Sequence, residues 1–261
     1  MTSRFESDQG RLVMSGRALQ GLARLDSGSA EELDPEVGNE LIEAGIVQGG
    51  RVHERLAALA GCLSRPSARL IVERMPRPSM RVEGWIDGRV AVLQHLPADA
   101  TEGDVVVVPR GMAAFRLARL LQLGPRPPHK VASHVQIDAG LLEVVLMAGS
   151  SLTAGEVERL LRKGDELEPA WIETLAALSR AEVARWSAGV WWNAAQERPK
   201  ARTLELLDSE VGIFLVTLAP RGSHPTRRLE LRPLTPSQLW RLLCAFVPPE
   251  TEVSEPLFGG T

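Results

Sequence analysis

The residues that could do chemistry in this chain are few and scattered. It has five histidines, two cysteines and no tyrosine. His53 stands beside Glu54 in a helix candidate, where adjacent positions point to different faces, and no second ligand follows at helical spacing. His95, His129, His134 and His224 fall at strand ends and in loops, where a general base would need a distant partner that spacing does not supply. Asp87 and Asp208 occupy matching places in two polar turns, and turn chemistry is enough to explain both. The missing tyrosine removes tyrosine-based acid chemistry. The chain contains neither Gly-x-x-x-x-Gly-Lys-Ser/Thr nor Gly-x-Gly-x-x-Gly, so no phosphate cradle is written in it. It lacks His-Glu-x-x-His and Cys-x-x-Cys, so no local metal site is either. The enzymatic reading that survives is a small-molecule site between two halves of the chain, gathering two of His95, His134, His224, Asp87 and Asp208.

The tryptophans carry more information. Five of the six lie at or after Trp171. Over Ala184 to Asn193, period-two alternation puts Trp186, Ala188, Val190 and Trp192 on one face, which reads as core. Arg185, Ser187, Gly189, Trp191 and Asn193 share the other. Trp191 then stands among small and polar residues. Two readings remain open: packing under a helix, because large aromatics are mostly buried, or an anchor for another protein, because tryptophan and arginine are favoured at interface centres. On the second reading the partner-binding residues are Arg185, Ser187, Trp191 and Asn193, with Arg228, Glu230 and Arg232 as the rim. A strand register shifted by one residue would swap every face.

The elements that must position these residues come in two similar sets. Strand candidates at Val183–Asn193, Thr203–Leu207, Val211–Leu218 and Arg228–Leu231 end on a short amphipathic helix at 236–243. Earlier, strands at Arg69–Glu73, Arg81–Ile86, Arg89–Leu96 and Asp104–Val108 end on a helix at Gly111–Leu121. The two sets register through Asp87-Gly88-Arg89-Val90 and Asp208-Ser209-Glu210-Val211, each a polar turn ahead of an apolar strand. Helices precede both sets. Ser15 caps one through Leu25, Pro35 opens one that stops at Gly45, and Val52–Leu63 forms a third. Ser150–Leu161 and Pro169–Arg180 precede the second set. His129–Gly140 reads equally as alternating strand or as the entry to a helix. Blocks of this kind argue α+β rather than a doubly wound parallel sheet. Val211–Leu218 is apolar on both sides and belongs in mid-sheet, covered on both faces or by a partner. The expected organisation is a single unit over residues 1–261, with quasi-repeat halves 11–124 and 129–247, a loose segment over 1–10 and a flexible tail at 248–261.

Composition narrows the partners. Apolar residues make up 44% and the net charge is −3, which suits an ordinary globular protein and gives no electrostatic reason to expect nucleic acid. Arg227-Arg228 lies between Glu210 and Glu230 and reads as a solvated strand end. No apolar run is long enough to span a bilayer, and the acidic start of the chain is not that of a signal peptide. Cys62 and Cys244 both sit in apolar helix candidates and read as buried thiols, which suits a reducing cytoplasm.

Leu41-Ile42-Glu43-Ala44-Gly45-Ile46-Val47, followed by Leu56-Ala57-Ala58-Leu59-Ala60 and Pro66, the doubled strand-and-helix unit, and the ending Leu231-Arg232-Pro233-Leu234-Thr235-Pro236-Ser237-Gln238-Leu239 together resemble the EspG family. These are cytosolic chaperones of actinobacterial type VII (ESX) secretion. The likeness runs from about Leu12 to Val247 and rests on the order of its motifs. It implies a quasi-two-fold α+β fold, a central sheet with two helical groups, no catalysis and no cofactor. It also implies binding of the helical tip of a PPE-type protein, itself paired with a PE protein, through the sheet and the C-terminal helical group. A separate reading is a homodimeric structural protein whose exposed sheet face pairs with its own copy; when free, the chain is expected as a monomer or homodimer. The chain departs from the family pattern where Arg185–Trp192 replaces a Gly-Gln-Phe-Gly-type segment, and where Asp208-Ser209-Glu210 replaces the family's Asp-x-x-Gly-Arg turn. The loop at Pro76-Arg77-Pro78 is also short.

Overall fold

The computed structural model describes residues 3–6, 11–26, 33–75, 79–98, 100–124, 126–148, 151–164, 167–194, 199–220, 227–253 and 257. The first half runs β1 (Arg4–Glu6), β2 (Arg11–Ser15), α1 (Gly16–Asp26) and α2 (Pro35–Glu43), then a two-strand ribbon of β3 (Val47–Gln48) and β4 (Arg51–Val52). It continues through α3 (Ala57–Ser64), β5 (Ala68–Met75), β6 (Met80–Ile86), β7 (Val90–Pro97), β8 (Glu102–Pro109) and α4 (Ala113–Leu120). The second half runs β9 (Val135–Asp138), α5 (Ala139–Ala148), α6 (Ala154–Gly164), α7 (Pro169–Leu178), β10 (Ala184–Trp192), β11 (Lys200–Ser209), β12 (Gly212–Leu218), β13 (Arg228–Pro233) and α8 (Pro236–Phe246).

Local chemistry sets the ends of these elements. Ser15 Oγ accepts from Ala18 N at 3.0 Å and starts α1. Asp34 caps α2, with proline in its first turn. Thr235 and Gln238 close a capping box on α8. Gly49 and Gly50 take φ of 56° and 73° and turn β3 into β4. That hairpin corrects the expected helix over Val52–Leu63, which begins only after a 3-10 turn at Glu54–Leu56. The expected loose start at 1–10 is corrected for residues 3–6, the rest of it lying outside the described residues. Arg4–Glu6 pairs with β2, and the buried Ser3 hydroxyl donates to Glu40 on α2. His129–Gly140 resolves into both alternatives, a short strand followed by a helix.

All main-sheet pairings are antiparallel, in the order β1-β2-β8-β7-β6-β5-β10-β11-β12-β13-β9. The second half contributes a five-strand block, β9-β13-β12-β11-β10, and the first half its counterpart, β2-β8-β7-β6-β5, with β1 added at the outer edge. Among the described residues the strand blocks pair with each other at the β5–β10 seam, a quasi-two-fold arrangement. Hairpin register aligns the halves: Ile86 lies opposite Ala91 and Asp208 opposite Ile213. The correspondence is therefore one residue off the sequence alignment, and Ser209, not Asp208, matches Asp87. Side-chain chemistry agrees, since Asp87 Oδ1 accepts from Arg89 N at 2.6 Å and Ser209 Oγ from Val211 N at 3.2 Å. Asp208 is a strand residue with a 7% exposed side chain, held by Arg126.

One sheet face is covered along its centre by α4 and α8. There Leu70, Val72, Trp186, Ala188, Val190 and Leu206 pack with Leu117, Leu239, Leu243 and Phe246. The opposite face is covered only on its flanks. α1, α2 and α3 pack on Trp85, Val92 and Val105, and α5, α6 and α7 on Leu207, Phe214, Val216, Leu229 and Leu231. β12 is accordingly apolar on both sides, as its sequence predicts. Cys62 is buried and burial pushes its thiol up to about 12. Cys244 is exposed, contrary to expectation, because it projects from the outer side of α8. A thiol reagent added to the native protein should therefore titrate Cys244 promptly and Cys62 only after denaturant is added. Equal rates at both would refute this placement of α3.

Candidate partner-binding surface

Between the two helical groups the centre of the sheet is left open. Alternation along β10 is as the sequence predicts: Trp186, Ala188, Val190 and Trp192 are buried, while Arg185 and Trp191 are half-buried and Ser187 exposed. Register sets their neighbours. Trp191 pairs with Arg69, Gly189 with Ile71, Ser187 with Glu73 and Arg185 with Met75. Under the quasi-two-fold relation Arg69 corresponds to Arg185 and Met75 to Trp191. The strip thus ends at each side in an arginine beside a large apolar side chain. The two ends are six residue steps apart, about 20 Å of extended chain.

Its charges are matched internally. Arg81 pairs with Glu83 at 2.9 Å and Glu73 at 3.3 Å. Arg185 pairs with Glu143 of α5 at 2.6 Å and approaches Glu205 at 3.8 Å. The Arg69 guanidinium lies over the Trp85 ring, 5.5 Å from its centroid. Exposed pairs of this kind contribute little to stability, but they leave the strip without a strong net field. The Trp191 ring lies over Gly189, where a Cβ would stand in ordinary contact with it, 4.0 Å from Cζ3.

The two flanking helices differ in kind. α1 shows solvent Arg17, Gln20 and Arg24, an ordinary amphipathic pattern. α5, its counterpart after β9, is apolar nearly all round. Glu143 fastens it beside the Arg185 end of the strip, and Met147, one turn further on the same side, is 80% exposed; Val144 is 48% exposed and Met75 62%. An all-round apolar helix is usually buried; this one keeps an uncovered stripe. Ile71, Met75, Val144 and Met147 were missed by reading β10 alone. The apolar run Val144–Met147 was the available signal for the last two.

The expected rim does not join this surface. β13 turns Leu229 and Leu231 toward α5–α7, so Arg228, Glu230 and Arg232 project from the opposite sheet face. There Arg232 bonds Glu230 at 2.9 Å and Arg228 donates to Gln136 O at 2.8 Å. Arg185, Ser187 and Trp191 stay together, with Asn193 next in the alternation. The residues of the enzymatic alternative are dispersed. Asp87 closes a turn, Asp208 is locked by Arg126, and neither they nor His95 or His134 line the two larger clefts, of about 700 and 880 Å³. His224 lies outside the described residues, as does the loop at 76–78. Among the described residues no helix is long and apolar enough to cross a membrane.

No protein-family model matches the chain, and no curated protein matches it by sequence. In fold it is similar to the Mycobacterium tuberculosis type VII secretion system chaperone EspG5, solved in complex with a PE25-PPE41 dimer. The TM-score is 0.59 at 15% identity, over 95% of this chain and 98% of that one.

Proposed function

We propose that this chain is a non-enzymatic secretion chaperone of the EspG type, which binds the helical tip of a PPE-type protein paired with a PE protein and keeps it soluble for export. It acts in the cytoplasm without a cofactor, as one unit with quasi-repeat halves 11–124 and 129–247. The observation that carries the reading is the uncovered apolar stripe of α5 beside an open strip of sheet whose charges are already matched. A surface of that composition suits an apolar helical client, which would supply the cover the helix lacks. The fold likeness supports the same reading, since that chaperone was solved with a PE25-PPE41 dimer.

The client meets Trp191, Gly189, Ser187 and Ile71 on the sheet and Met75, Val144 and Met147 at the border of the second helical group. The test is co-expression of the tagged chain with PE/PPE-like pairs from the same genome, followed by size exclusion. A stable ternary complex is the expected result. If every pair elutes apart from the chain, the likeness to EspG5 is one of fold alone.

A further inference from the structure

Two segments that follow the closing helices have matching paths. Residues 122–124 and 126–131 follow α4 and cross to the β11–β12 turn of the second half. Arg126 Nε and Nη2 donate to the two carboxylate oxygens of Asp208 at 2.8 and 2.9 Å. His129 sits edge-on to Phe214 with centroids 4.8 Å apart, and its Nε2 lies 3.1 Å from Leu234 O. Gly212 makes room for it: a Cβ there would come within 2.2 Å of the imidazole. Residues 247–253 leave α8 and cross to the β6–β7 turn of the first half. Arg110, at the end of β8, donates to Asp87 O and to Pro248 O, both at 2.7 Å. The Glu250 carboxylate stands beside Gly88. Glu252 then accepts from Arg202 on β11 at 2.5 Å, with the Arg202 guanidinium 4.9 Å above the Trp192 ring.

The chemistry is inverted between the two. In the first, the crossing segment brings the cation and the sheet holds the carboxylate; in the second, the segment brings a carbonyl and carboxylates to arginines of the body. β5–β10 is the one strand pairing between the halves among the described residues, and these crossings join them beyond it, beside the α4–α8 packing and the Arg74 guanidinium over the Trp186 ring. We infer that residues 126–131 and 247–253 are reciprocal clasps, each fastening the opposite half's turn and together holding the two halves as one cooperative unit across the seam. The expected flexible tail is on this reading a structural part through residue 253, and Leu257 N further donates to Pro66 O of the first half at 2.7 Å; residues 254–256 and 258–261 lie outside the described residues.

Amide hydrogen exchange on the isolated chain tests this without any client, so its outcome is independent of the chaperone reading. A chain ending at Val247 should exchange about tenfold faster at Asp87–Val90, Arg110–Met112 and Lys200–Thr203, and stay within about twofold at Val211–Phe214. Arg126→Met should reverse the pattern, loosening Asp208–Phe214 and sparing Asp87–Val90. If the shortened chain fails to fold, Glu250→Gln with Glu252→Gln in the full chain provides the same readout at the first set of amides. The clasp assignment is overturned if the variant leaves its own turn within about twofold of the wild type, or if both variants loosen the two turns alike.

Discussion

With the client in hand, Trp191→Ala binds about 30-fold more weakly, a loss of about 2 kcal/mol, while its urea unfolding midpoint stays that of the parent. The two halves of this expectation come from one geometry. Trp191 is half-buried and lies over a glycine on an open face. Removing it opens no closed cavity, so the fold loses little. It does remove the largest apolar surface from the centre of the proposed contact. Titration calorimetry with a purified PE/PPE-like pair measures the affinity. Arg232→Ala is the internal control: it projects from the other sheet face and should leave the affinity unchanged. A collapse of the urea midpoint in Trp191→Ala would make the tryptophan a packing residue, and an equal effect of Arg232→Ala would put the client on the wrong face.

Phe214→Ala should cost about 3–5 kcal/mol of folding stability, a large part of the roughly 5–15 kcal/mol typical of a folded chain. Phe214 is fully buried in β12. Its ring meets His129 edge-on and Trp171 of α7 at 5.9 Å. One side chain thus joins the sheet, the second helical group and the crossing segment of the first clasp. Truncation leaves a void with three walls on separate elements, none free to collapse into it. Equilibrium urea denaturation reads the effect directly. Phe115→Ala is the counterpart on the outside of α4, where the ring is 45% exposed, and should fall within about 0.5 kcal/mol of the parent. A Phe214→Ala cost below about 1 kcal/mol would mean that this junction is not packed as described.

Much of the fold was legible in the order of residues because its signals are local. Period-two alternation in β10 decided which tryptophans are core. Apolar residues on both sides of Val211–Leu218 placed that strand in mid-sheet, and the Ser15 cap with the prolines at Pro35 and Pro236 began three helices. The doubling of the strand-and-helix unit showed because each copy repeats the same short-range pattern. What the sequence could not decide depends on partners far along the chain. Alternation says that Arg185 and Arg228 each oppose a buried neighbour; it cannot say that the two buried sets face opposite sides of one sheet. That follows from strand order, and it separates Arg228, Glu230 and Arg232 from Trp191. The role of Asp208 was hidden for the same reason. Its sequence neighbours are those of a turn, but a one-residue difference in hairpin register makes it a strand residue, and an arginine 82 residues away holds it. α5 could be read as apolar from its own residues. That one side of it is left uncovered, beside an open strip of sheet, was settled only by how the two halves pack.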